Sequence, residues 1–351
     1  MDPLENRFGS LKKPQFRIRA EVCIQKRTLG RSGIEVSALG FGCWAIGGPF
    51  WAGTQPLGWG EVSDEESIRA IQRSLELGVN FFDTADVYGA GHSERVLAKA
   101  LSLALKGERD RVVIATKFGN VFNEASKQIT GSDASPAHIR AACEASLRRL
   151  ETEYIDLYQL HTGDLDFEAA MGARETLEQL VSEGLIRAYG WSTDDPTRAE
   201  VFAAGGHCVA VQHQLNVLED NPVMLETCER LNLASINRGP LAMGLLTGKF
   251  SGEIKLQASD VRAVSPEWMA YFKDGVPNLE WLARLESIRE VLASDGRTLG
   301  QGALAWIWAR SPKTVPIPGC RTVAQAEQNA QALEFGPLRA AQMLEIDRLL
   351  A

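Results

Sequence analysis

The feature that most constrains the fold is an alternation of short apolar runs with longer amphipathic stretches, sustained along the chain with no break in composition. Apolar runs of strand length fall near 39–42, 79–82, 112–117, 155–160, 186–190, 209–212, 234–237 and 314–317. Helical spacing intervenes over 64–77, 93–105, 136–150, 167–182, 196–203, 222–231, 279–293, 299–309 and 323–332, and a last amphipathic helix covers 339–350. Helix starts carry suitable residues: acids in the first turn of Ser63-Asp64-Glu65-Glu66, and proline at the first helical position of Ser135-Pro136. Strands separated by helices pair in parallel. Eight such units with no linker between them suit one closed (β/α)8 TIM barrel, and 351 residues suffice for it. Gly30 and Ser32-Gly33 mark a hairpin over 26–37 ahead of the barrel. The expected division is an N-terminal extension over 1–26 and a single barrel domain over 27–351.

Parallel α/β folds carry their chemistry at the C-terminal ends of strands. The run Phe81-Phe82-Asp83-Thr84-Ala85-Asp86-Val87-Tyr88-Gly89 places a carboxylate and a phenol at one such end, and two others finish in Lys117 and His161. Singly, each has a bland reading: a surface acid, a packed ring, a solvated lysine, a satisfied histidine. Together they describe proton transfer. A phenol with a reference pKa near 10 is too weak an acid to protonate an alkoxide quickly at neutral pH. A cation in contact lowers that pKa, a role open to Lys117, which Asp83 would hold charged and in place. His161 would hydrogen-bond a carbonyl oxygen and orient it. No side chain donates hydride, so a nicotinamide cofactor is implied.

These residues carry a family resemblance. Phe82-Asp83-Thr84-Ala85 with Tyr88-Gly89 and Ser93-Glu94, the strand ending Thr116-Lys117, and Asp156-Leu157-Tyr158-Gln159-Leu160-His161 resemble the aldo-keto reductases. So do Gly190-Trp191-Ser192-Thr193, Pro240-Leu241-Ala242 with Gly244-Leu245-Leu246-Thr247-Gly248-Lys249, and Ile317-Pro318-Gly319, in family order from about residue 27 onward. The resemblance implies a (β/α)8 barrel that reduces an aldehyde or ketone with NADPH in preference to NADH. Tyr88, Lys117, Asp83 and His161 would be its catalytic set. It also brings in a rival of another class, the cofactor-binding β subunits of potassium channels. Those have Asn in place of His161, so His161 favours an enzyme.

Further positions follow from the resemblance. Cys43 and Trp44 would border cofactor and substrate. Ser192 and Thr193, the latter departing from the usual Asn, would hold the nicotinamide carboxamide with Gln212. The loop of Gly239, Pro240, Leu241 and Gly244 would wrap the pyrophosphate, with Lys249 as a point charge. Gly319 and Arg321 would take the 2′-phosphate end, Arg321 by ion pairing. Gln325, Gln328 and Asn329 would line the adenosine. Arg238 stands where the family usually stacks Tyr or Trp on the nicotinamide, and its charge is expected to weaken NADP+ relative to NADPH. Loop aromatics would make a roomy apolar pocket, with Trp51, Trp59 and Phe118 as its expected lining.

Other classes fit poorly. A net charge of −8 argues against a nucleic-acid groove. No run approaches the about 18 apolar residues of a membrane span. Six scattered cysteines without a Cys-x-x-Cys pair suit a reducing cytoplasm, and His207-Cys208 with His213 lacks zinc-ligand spacing, so no metal is expected. The oligomeric state stays open. Gly40-Phe41-Gly42-Cys43-Trp44-Ala45 matches Gly-x-Gly-x-x-Ala, but a dinucleotide fold needs a helix to open there, and Gly47, Gly48, Pro49 and Gly53 forbid one.

Overall fold

The structure, a computed structural model, describes residues 25–250, 256–264 and 266–351. Eight parallel strands form one sheet in chain order: β1 (Gly40–Gly42), β2 (Phe81–Asp83), β3 (Val113–Phe118), β4 (Ile155–Leu160), β5 (Ile186–Ser192), β6 (Cys208–Gln214), β7 (Ala234–Arg238) and β8 (Thr314–Pro316). The two outer strands meet just past β8, where the Gly42 N–H donates to the Pro318 carbonyl at 3.1 Å and Gly42 pairs with Gly319. The sheet is thus a nearly closed barrel. A Cβ on Gly42 would lie 2.5 Å from the Ile317 carbonyl oxygen, so this seam accepts only glycine. That accounts for part of the false dinucleotide signal: the glycine serves strand approach. One 3-10 turn, Trp44–Ile46, does start after it, against the expectation of no helix at all, but the first α-helix waits until Asp64.

Helices α1 (Asp64–Glu76), α2 (His92–Leu105), α3 (Pro136–Leu150), α4 (Phe167–Ser182), α5 (Pro196–Ala203) and α6 (Pro222–Leu231) follow β1 to β6 in turn. Between β7 and β8 come α7 (Leu279–Leu292) and α8 (Leu299–Arg310). After β8 come α9 (Val323–Phe335) and the terminal α10 (Ala340–Leu350). Ser63, Ser135, Asp166, Asp195, Asn221 and Thr298 each accept a backbone N–H at a helix start, a cap that stabilises by about 1 kcal/mol apiece. Ser135, Asp195 and Asn221 are each followed by proline inside the first turn.

The pleat sorts the strand residues into two cores. Phe81, Val113, Ala115, Leu157, Ala188, Ala234, Ile236 and Val315 fill the barrel, and the hairpin Lys26–Thr28/Glu35–Ser37 adds Leu29, Ile34 and Val36 to that cluster. A larger apolar layer separates the strands from the helices. Residues 1–24 of the expected extension, with Cys23, lie outside the described residues, and Lys26 already belongs to the hairpin strand. Two small sheets escaped the sequence reading: Trp51–Ala52, Gln55–Pro56, Asn120–Asn123 and Gln128–Ser132 form one of four strands, and Phe272–Lys273 pairs antiparallel with Val276–Pro277. The two-residue strands are too short for alternation to register, and Asn120–Asn123 and Gln128–Ser132 carry too few apolar residues to show one.

Candidate active site

Two residues further along the inward column of several strands, apolar side chains give way to polar ones. Phe81 precedes Asp83, Ala115 precedes Lys117, Leu157 precedes Gln159, Ala210 precedes Gln212 and Ile236 precedes Arg238. Since side chains alternate along a strand, this step of two puts a polar layer at the C-terminal mouth. Lys117 is fully buried, and its Nζ donates to Asp83 Oδ1 at 2.5 Å, to the Thr84 carbonyl at 2.8 Å and to Tyr88 Oη at 3.4 Å. Asp83 Oδ2 accepts from Gln159 at 3.0 Å and Gln212 at 2.8 Å. Gln159 was missed as a site residue, and its place two positions after Leu157 was the available signal.

The Tyr88 loop is pressed against the β1 loop: Gly89 has φ 62°, and a Cβ there would sit 1.8 Å from the Gly47 carbonyl oxygen. The Tyr88 ring meets His161 edge-on with centroids 5.7 Å apart. Burial pushes the Tyr88 phenol above its ordinary value, Lys117 pulls the other way, and burial wins. The expected net lowering is therefore corrected, because desolvation of a buried phenolate outweighs one cation already shared with Asp83. Burial alone would depress the Lys117 ammonium, but Asp83 and Tyr88 outweigh it and the group is held above its ordinary value. Burial, then the charges of Lys117 and Arg238, drives His161 well below the usual imidazole range. Its Nδ1 is buried without a hydrogen-bond partner among the described residues.

An aromatic wall stands over this set. Trp44 stacks near Tyr88 at 6.0 Å, meets Trp59 edge-on at 5.3 Å and approaches Trp268 at 6.3 Å. Phe50, Leu57 and Phe122 pack beside Tyr88 and Trp44. Two expected positions point elsewhere. Phe118 is fully buried against Tyr158, ring centroids 4.6 Å apart, because the residue after inward Lys117 must face outward. Cys43 is likewise buried in the outer layer, its thiol raised by burial. Trp51 lies in the side sheet, half-buried.

Around the cofactor-side positions, many polar groups already have partners in the protein. The Thr193 hydroxyl donates to the Gly163 carbonyl and accepts from the Asp195 N–H, so it is turned from the role in the carboxamide clamp. Ser192 is buried at the end of β5. Arg238 pairs with Asp194 and donates to Gln214 at 3.1 Å. Gly239, Pro240 and Leu241 follow it into a turn where Ala242, Met243 and Gly244 take left-handed φ of 47°, 54° and 91°. Such consecutive positive φ values are a strain found at ligand-binding loops. Gly319 flanks the seam, and Arg321 donates to the Trp59 carbonyl at 3.0 Å while its own N–H is capped by Gln325 Oε1. That bond occupies Gln325. Gln328 is exposed and Asn329 half-buried on α9.

A further cation was missed. Arg262 is buried, doubly bonded to Asp260 at 2.8 and 2.6 Å, donates to the Met243 carbonyl and lies 4.6 Å over the Trp59 ring. Partial burial together with Arg262 and Arg321 depresses the Lys249 ammonium, and Arg321 is lowered by burial and Arg262. Lys249, Arg262 and Arg321 thus face one another with Asp260 as the nearby acid, an arrangement able to hold anionic oxygens. Nothing in the irregular sequence around Arg262 marks it. Among the described residues no group of three or more His, Cys, Asp or Glu is placed to hold a metal, and no helix is long and apolar enough to cross a membrane.

Known proteins share this sequence and architecture. The profile of the Aldo/keto reductase family matches residues 38–351. A probable aldo-keto reductase of Glycine max is 33% identical over 317 residues, 88% of this chain and 84% of that protein. Among solved structures, the holo form of a Bacillus halodurans aldo-keto reductase aligns with TM-score 0.74 and 31% identity, covering 93% of this chain and 97% of its own. A Gluconobacter oxydans glycerol dehydrogenase gives TM-score 0.77 at 28% identity, with 93% and 95% covered. A Klebsiella pneumoniae aldo/keto reductase in complex with NADP and acetate gives 0.65 at 27%, with the same coverage. The chain belongs to the aldo/keto reductase family and is an NAD(P)H-dependent oxidoreductase acting on carbonyl or CH–OH groups.

Proposed function

We propose that the protein reduces an aldehyde or ketone to the alcohol with NADPH as cofactor and Tyr88 as proton donor. The observation that carries this reading is the contact of Lys117 Nζ with both Asp83 Oδ1 and Tyr88 Oη at the barrel mouth. The bound nicotinamide supplies the hydride. Burial keeps the Tyr88 phenol protonated until an alkoxide forms, and the adjacent Lys117 ammonium then stabilises the phenolate left behind. Asp83, held by Lys117, Gln159 and Gln212, keeps that ammonium in place. Neutral His161 is suited to donate one hydrogen bond to the carbonyl oxygen without protonating it.

The choice of NADPH over NADH rests on the cations Lys249, Arg262 and Arg321, whose mutual repulsion an anionic phosphate would relieve. Ser192 and Gln212 would hold the carboxamide, with Thr193 contributing backbone only. The substrate is a small carbonyl compound with an apolar or aromatic part, received by Trp44, Trp59 and Trp268. We read 26–351, from the hairpin strand onward, as one catalytic unit, the residues before it as an extension and the cytoplasm as its compartment.

Initial rates of NADPH oxidation with a panel of aldehydes and ketones, run beside Tyr88→Phe, test the reading. Turnover by the wild type is expected to fall about 10²–10⁴-fold in the variant, with NADPH binding kept. Tight NADPH binding without turnover on any carbonyl would turn the assignment toward a regulatory subunit.

A further inference from the structure

One acid beside the proton donor has no part in the chemistry described. Asp86 lies between Asp83 and Tyr88 and is 1% exposed. Its Oδ1 is buried with no hydrogen-bond partner among the described residues, and its one donor is the backbone N–H of Val87. The groups facing it come from four elements. On α2, Glu94 is fully buried and committed on both oxygens, accepting from Thr116 Oγ1 and Arg149 Nε at 2.6 Å each. On α3, Arg149 also serves Glu124 at 3.1 Å and Ser146 at 3.4 Å, and Cys143 lies near Tyr158. On β4, Tyr158 senses the charge of Asp86, and its hydroxyl is also buried without a partner. On β3, Lys117 is engaged by Asp83, Thr84 and Tyr88, while its carbonyl accepts the Asp86 N–H at 3.3 Å.

Ionised Asp86 would be a second buried carboxylate beside Glu94, with the nearby arginine already spent. Burial and Glu94 both push its carboxyl well above the usual range, against the weaker pull of Arg149, then of the Val87 N–H and last of Lys117. We propose that Asp86 is a positioning residue held as the neutral acid, and that its neutrality reserves the Lys117 ammonium for Asp83 and Tyr88. Ionisation at alkaline pH adds a competing anion for that ammonium and leaves the phenolate of Tyr88 less stabilised. Asp86 thus sets an alkaline limit on turnover. This rests on Tyr88 being the proton donor, but the protonation state of Asp86 can be read without any turnover.

The sign is diagnostic. A carboxyl raised in the folded state makes the unfolded chain the weaker proton binder, so stability falls as pH rises above the unfolded value near 3.9. Asp86→Asn, an isosteric neutral replacement, is expected to melt on the order of 2–4 °C above the wild type at pH 8, with the gap closing toward pH 4. An Asp86→Asn protein less stable than the wild type at pH 8, with the deficit shrinking in acid, would show an ionised, paired Asp86 and overturn the proposal. Infrared difference spectra give a second reading: a protonated-carboxyl band at neutral pH, absent in Asp86→Asn, is expected, and its absence from the wild type counts against the idea. The link to catalysis is read from kcat against pH, where the alkaline fall should move to higher pH in Asp86→Asn. Superimposable profiles would refute that link. Absence of turnover alongside the stability and infrared signatures would instead fault the reading of Tyr88.

Discussion

The two ends of the site are built differently. At the proton-transfer end, Asp83, Tyr88, Lys117, Gln159 and Gln212 are bonded to one another, and all but Tyr88 stand on strands of the barrel. At the end proposed for the cofactor the polar groups are engaged with protein partners: Arg238 with Asp194, Arg321 with the Trp59 carbonyl, Gln325 with the Arg321 N–H, Thr193 with Gly163. The first end is already joined by its own bonds. To hold a cofactor as proposed, the second would have to exchange internal bonds for external ones, an exchange that would subtract from affinity. On the proposed mechanism, preorganisation is concentrated where charge would develop in the transition state, where it is most effective.

The sharpest attack on this contrast is Lys117→Met. It leaves Asp83 charged and buried with only two amides, so it should remove turnover and cost about 3–5 kcal/mol of stability, seen in urea unfolding. A stable but inactive variant would mean that the lysine serves chemistry alone. Next in size is Arg321→Leu. Its guanidinium is half-buried and its ligand would be anionic, so NADPH affinity by fluorescence titration should fall about 10–100-fold while NADH changes little. Equal losses for both cofactors would show that Arg321 holds the Trp59 loop and does not read a phosphate. The smallest effect is expected from Asp194→Asn. Freeing Arg238 should weaken NADP+ relative to NADPH by about 2–5-fold, the range of a partly exposed ion pair. An unchanged ratio would remove Arg238 from the nicotinamide.

The same contrast governs what the sequence revealed. The strand-end residues could be read because a strand has one period and its end is marked by a change from apolar to polar: Asp83 after Phe81-Phe82, Lys117 after Val113 to Thr116. The same period puts Phe118 outside the pocket, since one residue beyond an inward lysine lies on the other face. Gln159 follows the same period, two places after inward Leu157, which marks it as facing the mouth. The loop side had no such rule. Arg262 sits in irregular chain, and only the fold brings it to Trp59, Phe250 and Phe272. Whether Thr193 offers its hydroxyl to a ligand or to Gly163 depends on a turn that its neighbours in the sequence do not specify.

The seam between β1 and the chain leaving β8 has a consequence for how the molecule comes together. The Gly42–Pro318 bond joins segments from opposite ends of the barrel sequence, among the most distant contacts in the chain, and loop-closure entropy delays such contacts in folding. The chain leaving that seam on one side carries Trp44 and Trp59, and on the other Gly319 and Arg321. The cofactor site proposed here draws on residues from both sides of that seam, so it would be complete only once the ring shuts. A ligand lodged there acts as a clasp on the last hoop, and by mass action its binding energy is added to the contact that chain entropy opposes most.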